Sequence, residues 1–251
     1  PPPPSQVMVF AVPAMDALMQ VFDACRRALT LSAFEFFTDR ALHHVVAHGA
    51  RRPFDDDSLY YVITEFDAGS EVQPQAALDV FEHCLAQGWV TDGVLSQSDS
   101  QAAELWLLRE AITESLAPWR PYKNDISVRI SAVPAFLHEM QTLLTAEYPH
   151  FDVVWFGHIG DGNLHINVLK PAGMDDSEFI AQCERVTKHL GETLQRHGGS
   201  ISAEHGIGLV KKPYLTSTRS PMEIAMMRGV RQTFDPLGIM NPGAVLAPAR
   251  G

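Results

Sequence analysis

Apolar and polar residues alternate along several short segments of the chain and recur at helical spacing along others, which predicts an order of strands and helices. In the first half we expect strands at residues 6–12, 33–37, 59–66 and 89–96, and helices at residues 15–29, 38–48 and 74–87. Ser98 should cap a longer helix that ends near Ala117, because Pro118 and Pro121 cannot continue it.

The same order of elements recurs in the second half of the chain. We expect strands at residues 123–128, 151–158, 163–169 and 199–203, and helices at residues 133–147 and 175–197. A strand-helix-strand-strand-helix-strand order is typical of a ferredoxin-like unit. The prediction is therefore an α+β fold: a duplicated ferredoxin-like plait, in which helices back an antiparallel sheet, with a C-terminal helical segment.

This prediction divides the chain into a linker and a folded part. Residues 1–5 are a linker stub that begins with four prolines rather than Met, as expected for a fragment of a longer polypeptide. Residues 6–205 form the main folded domain, and residues 206–251 form a C-terminal helical segment. Within the domain, two repeats at about 6–97 and 122–205 are joined by the helix at 98–118.

Composition narrows the class of protein. The chain has 251 residues, of which 46% are hydrophobic, so it can bury a sizeable core. Its formal net charge of -11 argues against binding to nucleic acid or to an anionic membrane, since both need clustered basic residues. Three scattered cysteines and no long apolar run favour a cytoplasmic protein, with the mitochondrial matrix as the alternative.

A predicted hairpin carries the first candidate chemistry. Asp161 and Gly162 favour a tight two-residue turn. That turn would put His158 opposite His165, and Asn167 opposite Phe156, all on one face of the sheet. The two imidazoles could then share a metal ion, because directly opposed residues have Cβ atoms ~4.5 to 5.5 Å apart. From spacing alone, two packed histidines are the favoured interpretation, since a lone pair makes a weak metal site.

Glu204 offers a third ligand. It stands beside His205 in a turn after the last predicted strand. Two histidines and one carboxylate leave coordination positions open, as catalytic divalent metal sites do. Glu204 could equally interact with the N-terminus of a following helix.

A candidate carboxylate-binding pocket involves three residues. Arg109 and Thr113 are four residues apart on the predicted long helix and share a face. Together with Lys123 they could bind a carboxylate. An ordinary surface ion pair at Arg109 is the commoner arrangement.

Several long motifs resemble the C-terminal half of the flavin-linked oxidases of the vanillyl-alcohol-oxidase type. They read FGHIGDGNLHIN at 156–167, SAEHGIG at 202–208 and NPGAVL at 241–246, with shorter matches at 90–93, 107–113 and 122–123. The segment at 202–204 looks most like the branch of the family that acts on D-2-hydroxyglutarate. The resemblance implies a flavin-dependent dehydrogenase that oxidises a D-2-hydroxy acid to the 2-oxo acid.

Position by position, the resemblance implies a role for nine residues. They are His158, His165 and Glu204 as ligands of a divalent metal, with zinc expected; His205 as the catalytic base; Arg109, Thr113, Lys123 and Asn167 as substrate-binding residues; and Asn241 as a contact of FAD. In the implied reaction His205 takes the hydroxyl proton and a hydride passes from C2 to the flavin. Ala244 stands where family members often have a basic residue.

The resemblance also implies an incomplete active site. Family members carry FAD mostly on an N-terminal domain, so we expect this chain alone to hold FAD weakly and to have little dehydrogenase activity. The resemblance implies that residues 6–205 are the substrate- and metal-binding domain and that residues 206–251 contact the flavin domain. The expected partners are that flavin domain and a small 2-hydroxy acid; the electron acceptor is not identified and a homodimer stays open. Two alternatives remain: a glycolate or D-lactate dehydrogenase of the same family, and a non-enzymatic ferredoxin-like domain that binds a metal or a small acid.

Overall fold

Seven β-strands form one antiparallel sheet in the computed structural model, which describes residues 4–70 and 72–246. The strands are β1 Ser5–Val12, β2 Leu31–Thr38, β3 Tyr60–Asp67, β4 Asp92–Leu95, β5 Tyr122–Ser127, β6 Asp152–Gly157 and β7 Asn163–Leu169. Their order across the sheet is β4-β1-β3-β2-β6-β7-β5, and every neighbouring pair is antiparallel. The predicted α+β class with an antiparallel sheet is therefore confirmed.

Helices connect the strands and continue beyond them. They are α1 Met15–Ala28, α2 Asp39–Ala47, α3 Val72–Ala86, α4 Asp99–Glu110, α5 Ile112–Ser115, α6 Val133–Glu147, α7 Asp176–Arg196, α8 Leu215–Thr218 and α9 Pro221–Phe234. Ser98 caps α4 as predicted, since its side chain accepts a hydrogen bond from the backbone N–H of Gln101. Among the described residues, no helix is both long enough and apolar enough to span a bilayer.

Both faces of the sheet are buried, which explains the apolar runs of its strands. On β1, Met8 and Phe10 belong to a cluster that α1, α3, α6 and α7 cover. The alternate residues Val7 and Val9 belong to a second cluster, which α2, α4 and α5 cover. Successive side chains of a strand point to opposite faces, so one strand serves both cores. The site described below lies on the face that α4 covers.

Three predicted elements differ from the structure, and one of them, the strand expected at residues 89–96, covers only Asp92–Leu95. Residues 199–203 do not form a strand: the backbones of Ser127 and Ser200 make one isolated bridge, and the Ser200 hydroxyl then bonds to the backbone of Ser202 and turns the chain. The long helix predicted to end near Ala117 is interrupted at Ala111, and the hydroxyl of Ser115 donates to the carbonyl of Ile112 in its last turn.

The β6–β7 hairpin has a longer tip than predicted. Phe156, not His158, lies opposite His165, and Asn167 lies opposite Val154. The prediction of a two-residue turn is wrong because residues 159–161 form a 3-10 turn, in which the carbonyl of His158 accepts from the backbone N–H groups of two later residues. The register shift is two residues, so each side chain keeps the predicted face.

Gly162 ends this tip in a conformation that favours glycine. Its φ is 75°, and a Cβ atom built there would lie 2.0 Å from the carbonyl oxygen of Val128. Gly173 has a similar φ of 79° but has nothing within 4 Å of the corresponding position.

We therefore expect Gly173→Ala to lower the free energy of unfolding by about 1 kcal/mol, from backbone strain alone. Gly162→Ala should lower it by at least about 2 kcal/mol more, because the clash displaces backbone. Equal losses in denaturant titrations would contradict this.

Asp152 joins α2 to the start of β6. Its carboxylate accepts hydrogen bonds from Arg40 Nε at 2.8 Å and His44 Nε2 at 2.9 Å. Burial works against ionisation of Asp152, but the bonds from His44 and Arg40 outweigh it and hold its pKa below the usual range. A carboxyl with a lowered folded pKa stabilises the fold above its unfolded pKa of about 3.9, and this contribution is lost as the pH falls through the folded pKa.

We expect Asp152→Asn to lower the free energy of unfolding by about 1 to 2 kcal/mol at pH 7, and by progressively less below pH of about 4. Asp23→Asn is the matched control, since Asp23 pairs with Arg26 on the surface of α1. That change should cost less than about 0.5 kcal/mol. Chemical unfolding at several pH values measures both, and a pH-independent loss for Asp152→Asn would contradict the assignment.

Candidate active and metal site

Eight of the nine predicted site residues line one cleft of about 470 Å³. They are Arg109, Thr113, Lys123, His158, His165, Asn167, Glu204 and His205. Asn241 does not line this cleft. It lines a separate apolar cleft beside α9, together with Met226 and Val230.

The register of β5, β6 and β7 arranges the polar side chains. His165 lies between Phe156 on one neighbouring strand and Asp125 on the other, and Lys123 lies opposite Asn167. Directly opposed residues share a face of the sheet, so these side chains form one polar patch. It is the face that α4 covers.

Arg109 closes the cleft from α4. Its guanidinium lies over the ring of Phe156, 4.6 Å from the centroid, and its Nε donates to Glu35 Oε2 at 3.0 Å. In the part of the chain that the structure describes, its two Nη groups make no protein hydrogen bond. Arg109 therefore has a partly buried ion pair, unlike the surface pair weighed as the commoner arrangement, and keeps donors for a ligand.

The three predicted metal ligands lie together. His158, His165 and Glu204 each offer an atom within 4.8 Å of the other two. The imidazole centroids of the histidines are 5.8 Å apart, and His158 Nε2 is 3.4 Å from Glu204 Oε1. The longer tip of the hairpin thus still brings His158 to His165, although the two residues are not opposed across the strands.

The two histidines have opposite pKa shifts. A hydrogen bond to Glu35 raises the pKa of His158. Burial, with the nearby charge of Arg109, lowers the pKa of His165. A lowered pKa keeps His165 neutral near pH 7, which is the form that binds a metal ion.

Glu35 is a site residue that the sequence analysis missed. It lies on β2, is 5% exposed, and hydrogen-bonds both His158 Nδ1 and Arg109 Nε through its two oxygens. The available signal is a charged residue inside an otherwise apolar strand, at the centre of residues 33–37. Glutamate is almost never fully buried unless it is paired, so this position indicates a partner that the pattern alone does not identify.

Asp125 and Lys211 are also missing from the predicted set. Asp125 accepts a hydrogen bond from Lys211 Nζ at 3.2 Å and from the backbone N–H groups of Glu204 and His205, both at 3.4 Å. Burial alone would raise the pKa of Asp125. The charge and hydrogen bond of Lys211, with the two backbone hydrogen bonds, outweigh burial and hold the pKa below its usual range. This ion pair holds the turn that carries Glu204 and His205 against β5.

The donor set of this cleft fits a divalent metal ion. Two imidazoles and one carboxylate suit zinc, and three protein ligands leave coordination positions open. Asp125 Oδ1 lies 3.5 Å from His165 Nδ1 and, among the described residues, is buried without a hydrogen-bond partner. A carboxylate beside the second nitrogen of a histidine is the usual outer partner of a metal-binding imidazole.

The chain matches the family model described as "FAD linked oxidases, C-terminal domain" over residues 1–245. It is 65% identical over 243 residues to a D-2-hydroxyglutarate dehydrogenase of Xanthomonas citri pv. viticola, covering 97% of this chain and 52% of that protein. It is 51% identical over 241 residues to a D-2-hydroxyglutarate dehydrogenase of Stutzerimonas stutzeri, covering 96% and 52%. It is 36% identical over 255 residues to a putative mitochondrial D-lactate dehydrogenase of Schizosaccharomyces pombe, covering 96% of this chain and 48% of that protein.

Solved structures of similar fold are more distant in sequence. A p-cresol methylhydroxylase with substrate bound aligns with a TM-score of 0.66 at 12% identity, covering 97% of this chain and 53% of that one. A 4-ethylphenol oxidase from Gulosibacter chungangensis aligns with a TM-score of 0.61 at 13% identity, covering 97% and 54%. These likenesses concern the fold alone.

The chain spans about half the length of the curated relatives it matches. The resemblance that the motifs indicated is confirmed over almost the whole chain, both by the family model and by relatives of high identity. The chain therefore belongs to the FAD linked oxidases and comprises their C-terminal domain.

Proposed function

We propose that this chain supplies the substrate- and metal-binding half of a FAD-dependent dehydrogenase, which oxidises a D-2-hydroxy acid of the D-2-hydroxyglutarate type to the 2-oxo acid. The observation that carries the proposal is one cleft that combines three metal-ligating groups with the cationic side chains of Arg109 and Lys123. The two relatives of 65% and 51% identity, both named D-2-hydroxyglutarate dehydrogenase, support the choice of substrate.

His158, His165 and Glu204 are the residues that would hold the metal ion, with zinc as the expected ion. When bound, a divalent ion supplies a Lewis acid that polarises a substrate oxygen, and FAD supplies the hydride acceptor. The side chains of this chain then have to bind the acid, orient it and take up its proton.

Arg109 and Lys123 are the cations that would bind the carboxylates of the acid. The two Nη groups of Arg109 offer paired donors, which suit a carboxylate. Lys123 is exposed and, within the described residues, has no ion pair. Thr113 and Asn167 line the same cleft and add an uncharged hydroxyl and amide.

His205 is the group that would accept the hydroxyl proton. Its imidazole is exposed to the cleft, while Asp125 holds its backbone N–H. Histidine is the side chain that most often serves as a general base, and a position next to a metal ligand puts this imidazole within reach of a substrate bound in the cleft.

A D-lactate dehydrogenase is the second candidate function. The 36% identical relative from Schizosaccharomyces pombe carries that name. A monocarboxylic acid needs one carboxylate-binding cation, whereas this cleft has two, Arg109 and Lys123, besides Lys211, which pairs with Asp125. The second cation favours a dicarboxylic substrate.

The two halves of the sheet support the finer interpretation of the fold as two ferredoxin-like repeats. The first half has the order β4-β1-β3-β2, in which β1 and β3 are central and β4 and β2 lie outside them. This is the order of a ferredoxin-like unit with its strand-helix-strand-strand-helix-strand sequence. The second half has the order β6-β7-β5, and Ser200 bridges to β5 where a fourth strand would lie.

The exposed side of α9 supports a contact between the C-terminal segment and a FAD domain of the same polypeptide. Met222, Met226, Val230 and Phe234 recur every four residues along the helix and are all exposed. Such an apolar stripe on a surface helix is typical of a packing interface.

Removing the two histidines tests the metal site. We expect the full-length protein to contain about one divalent ion per chain, and the double change His158→Ala with His165→Ala to abolish it, since one carboxylate alone binds weakly. His138→Ala with His150→Ala is the matched control, because these histidines are exposed and do not line the cleft. Elemental analysis of the three proteins measures the result. Equal metal content in all three would contradict the assignment.

Lys123→Ala tests the substrate class. We expect kcat/KM of the full-length protein to fall about tenfold to a hundredfold for D-2-hydroxyglutarate, because a charge-assisted hydrogen bond is lost. For D-lactate, which lacks the second carboxylate, the fall should be less than about threefold. Lys188→Ala on α7 is the control, since Lys188 is exposed and outside the cleft. An equal fall in kcat/KM for both acids would mean that Lys123 does not bind the second carboxylate.

A further inference from the structure

Glu35 lies where the ladder between β2 and β6 ends. Phe36 pairs with Gly157 and Phe37 pairs with Phe156. One step further along the same register, Glu35 lies beside His158. Its neighbours Phe36 and Phe37 are fully buried, and Glu35 itself is 5% exposed.

The two oxygens of Glu35 have different partners. Oε1 bonds to Nδ1 of His158, and Oε2 accepts from Nε of Arg109 at 3.0 Å. An ionised carboxylate can only accept hydrogen bonds. Nδ1 of His158 therefore carries a proton. In the neutral imidazole the lone pair is then on Nε2, which is 3.4 Å from Glu204 Oε1 on the side of the other metal ligands.

We propose that Glu35 is a positioning residue: it holds His158 in the tautomer that can bind a metal ion through Nε2 and, with its other oxygen, holds the guanidinium of Arg109 in the cleft. One buried carboxylate thus fixes the tautomer of a metal ligand and the position of a substrate-binding cation. This inference rests on the proposed function, since it concerns how the same cleft is kept in order.

The chemistry of glutamine separates this role from that of an ordinary ion pair. A glutamine at position 35 presents one oxygen and one NH2 group. Since Arg109 can only donate, we expect the oxygen to face Arg109 and the NH2 group to face Nδ1 of His158. The imidazole proton then moves to Nε2, and the lone pair needed for the metal is lost. A residue that only filled space would tolerate this near-isosteric change.

Glu65 provides a matched control on the neighbouring strand β3. Its carboxylate accepts a hydrogen bond from Trp106 Nε1 at 2.9 Å, and it is half-buried. Trp106 lines the same cleft, but Glu65 makes no hydrogen bond to the predicted ligands within the described residues. Glu65→Gln removes a charge close to the site and leaves an acceptor for Trp106.

The experiment measures zinc affinity in the full-length protein by competition with chelators of known affinity. We expect Glu35→Gln to weaken zinc binding about 10- to 100-fold, the usual effect of losing an outer-shell partner, and Glu65→Gln to change it less than about threefold. In a His158→Ala background, Glu35→Gln should weaken zinc binding by less than about a further threefold, because the imidazole that Glu35 positions is already absent. With zinc saturating, KM for D-2-hydroxyglutarate should stay raised while kcat recovers, since the negative charge that paired with Arg109 is gone.

Zinc affinity within twofold of wild type in Glu35→Gln would overturn the inference and leave the proposed function standing. A wild-type protein that binds no zinc would overturn both. If Glu35→Gln fails to fold, as judged by circular dichroism and thermal melting, Glu35→Asp replaces it. That change keeps the charge but shortens the side chain by one methylene, and it should likewise weaken zinc binding, whereas unchanged affinity in a folded Glu35→Asp protein would overturn the inference.

Discussion

Burial of two carboxylates, Glu35 and Asp125, is the constraint on which the cleft depends. A carboxylate removed from water is stable only when hydrogen-bond donors and positive charges surround it. Glu35 meets this requirement through His158 and Arg109, and Asp125 meets it through Lys211 and two backbone N–H groups. The satisfaction of these two charges therefore orders the hairpin tip, the end of α4 and the turn at Glu204.

The sheet makes this burial feasible because both of its faces are covered. On one face the apolar cluster under α1, α3, α6 and α7 is continuous, and it supplies most of the core. On the other face, α4 and its neighbours cover the apolar residues and leave the polar ends of β5, β6 and β7 beside a cleft. Rigid strands thus carry His165, Asn167 and Lys123, while Glu204 and His205 stand on a turn that one ion pair secures. Functional groups on strands can be positioned more closely than groups on unsupported loops.

Local pattern predicted much of the fold. The strands and helices follow from alternation and helical periodicity, and the cap of α4 follows from Ser98, since each depends on neighbouring residues. Of the nine site residues that the motif resemblance implied, eight line one cleft, and Asn241 lines a different one. The turn at Asp161 and Gly162 was predicted too short. The tip is a 3-10 turn that ends at Gly162, whose carbonyl accepts from the backbone N–H of Val128, 34 positions away and outside any local pattern. Residues 199–203 were predicted as a strand because their composition is compatible with one, but among the described residues only Ser200 forms a β-bridge there.

The sequence by itself determined the class of fold, the family and the candidate ligands, because apolar periodicity and contiguous motifs are properties of neighbouring residues. Only the tertiary structure decided which side chains meet. His158 reaches His165 through the shape of the tip and not through the predicted register. Glu35 joins the site because β2 lies next to β6, a neighbour that is 123 residues away in sequence. Hydrogen bonds between such distant residues depend on the order and register of strands, and no local pattern contains that information.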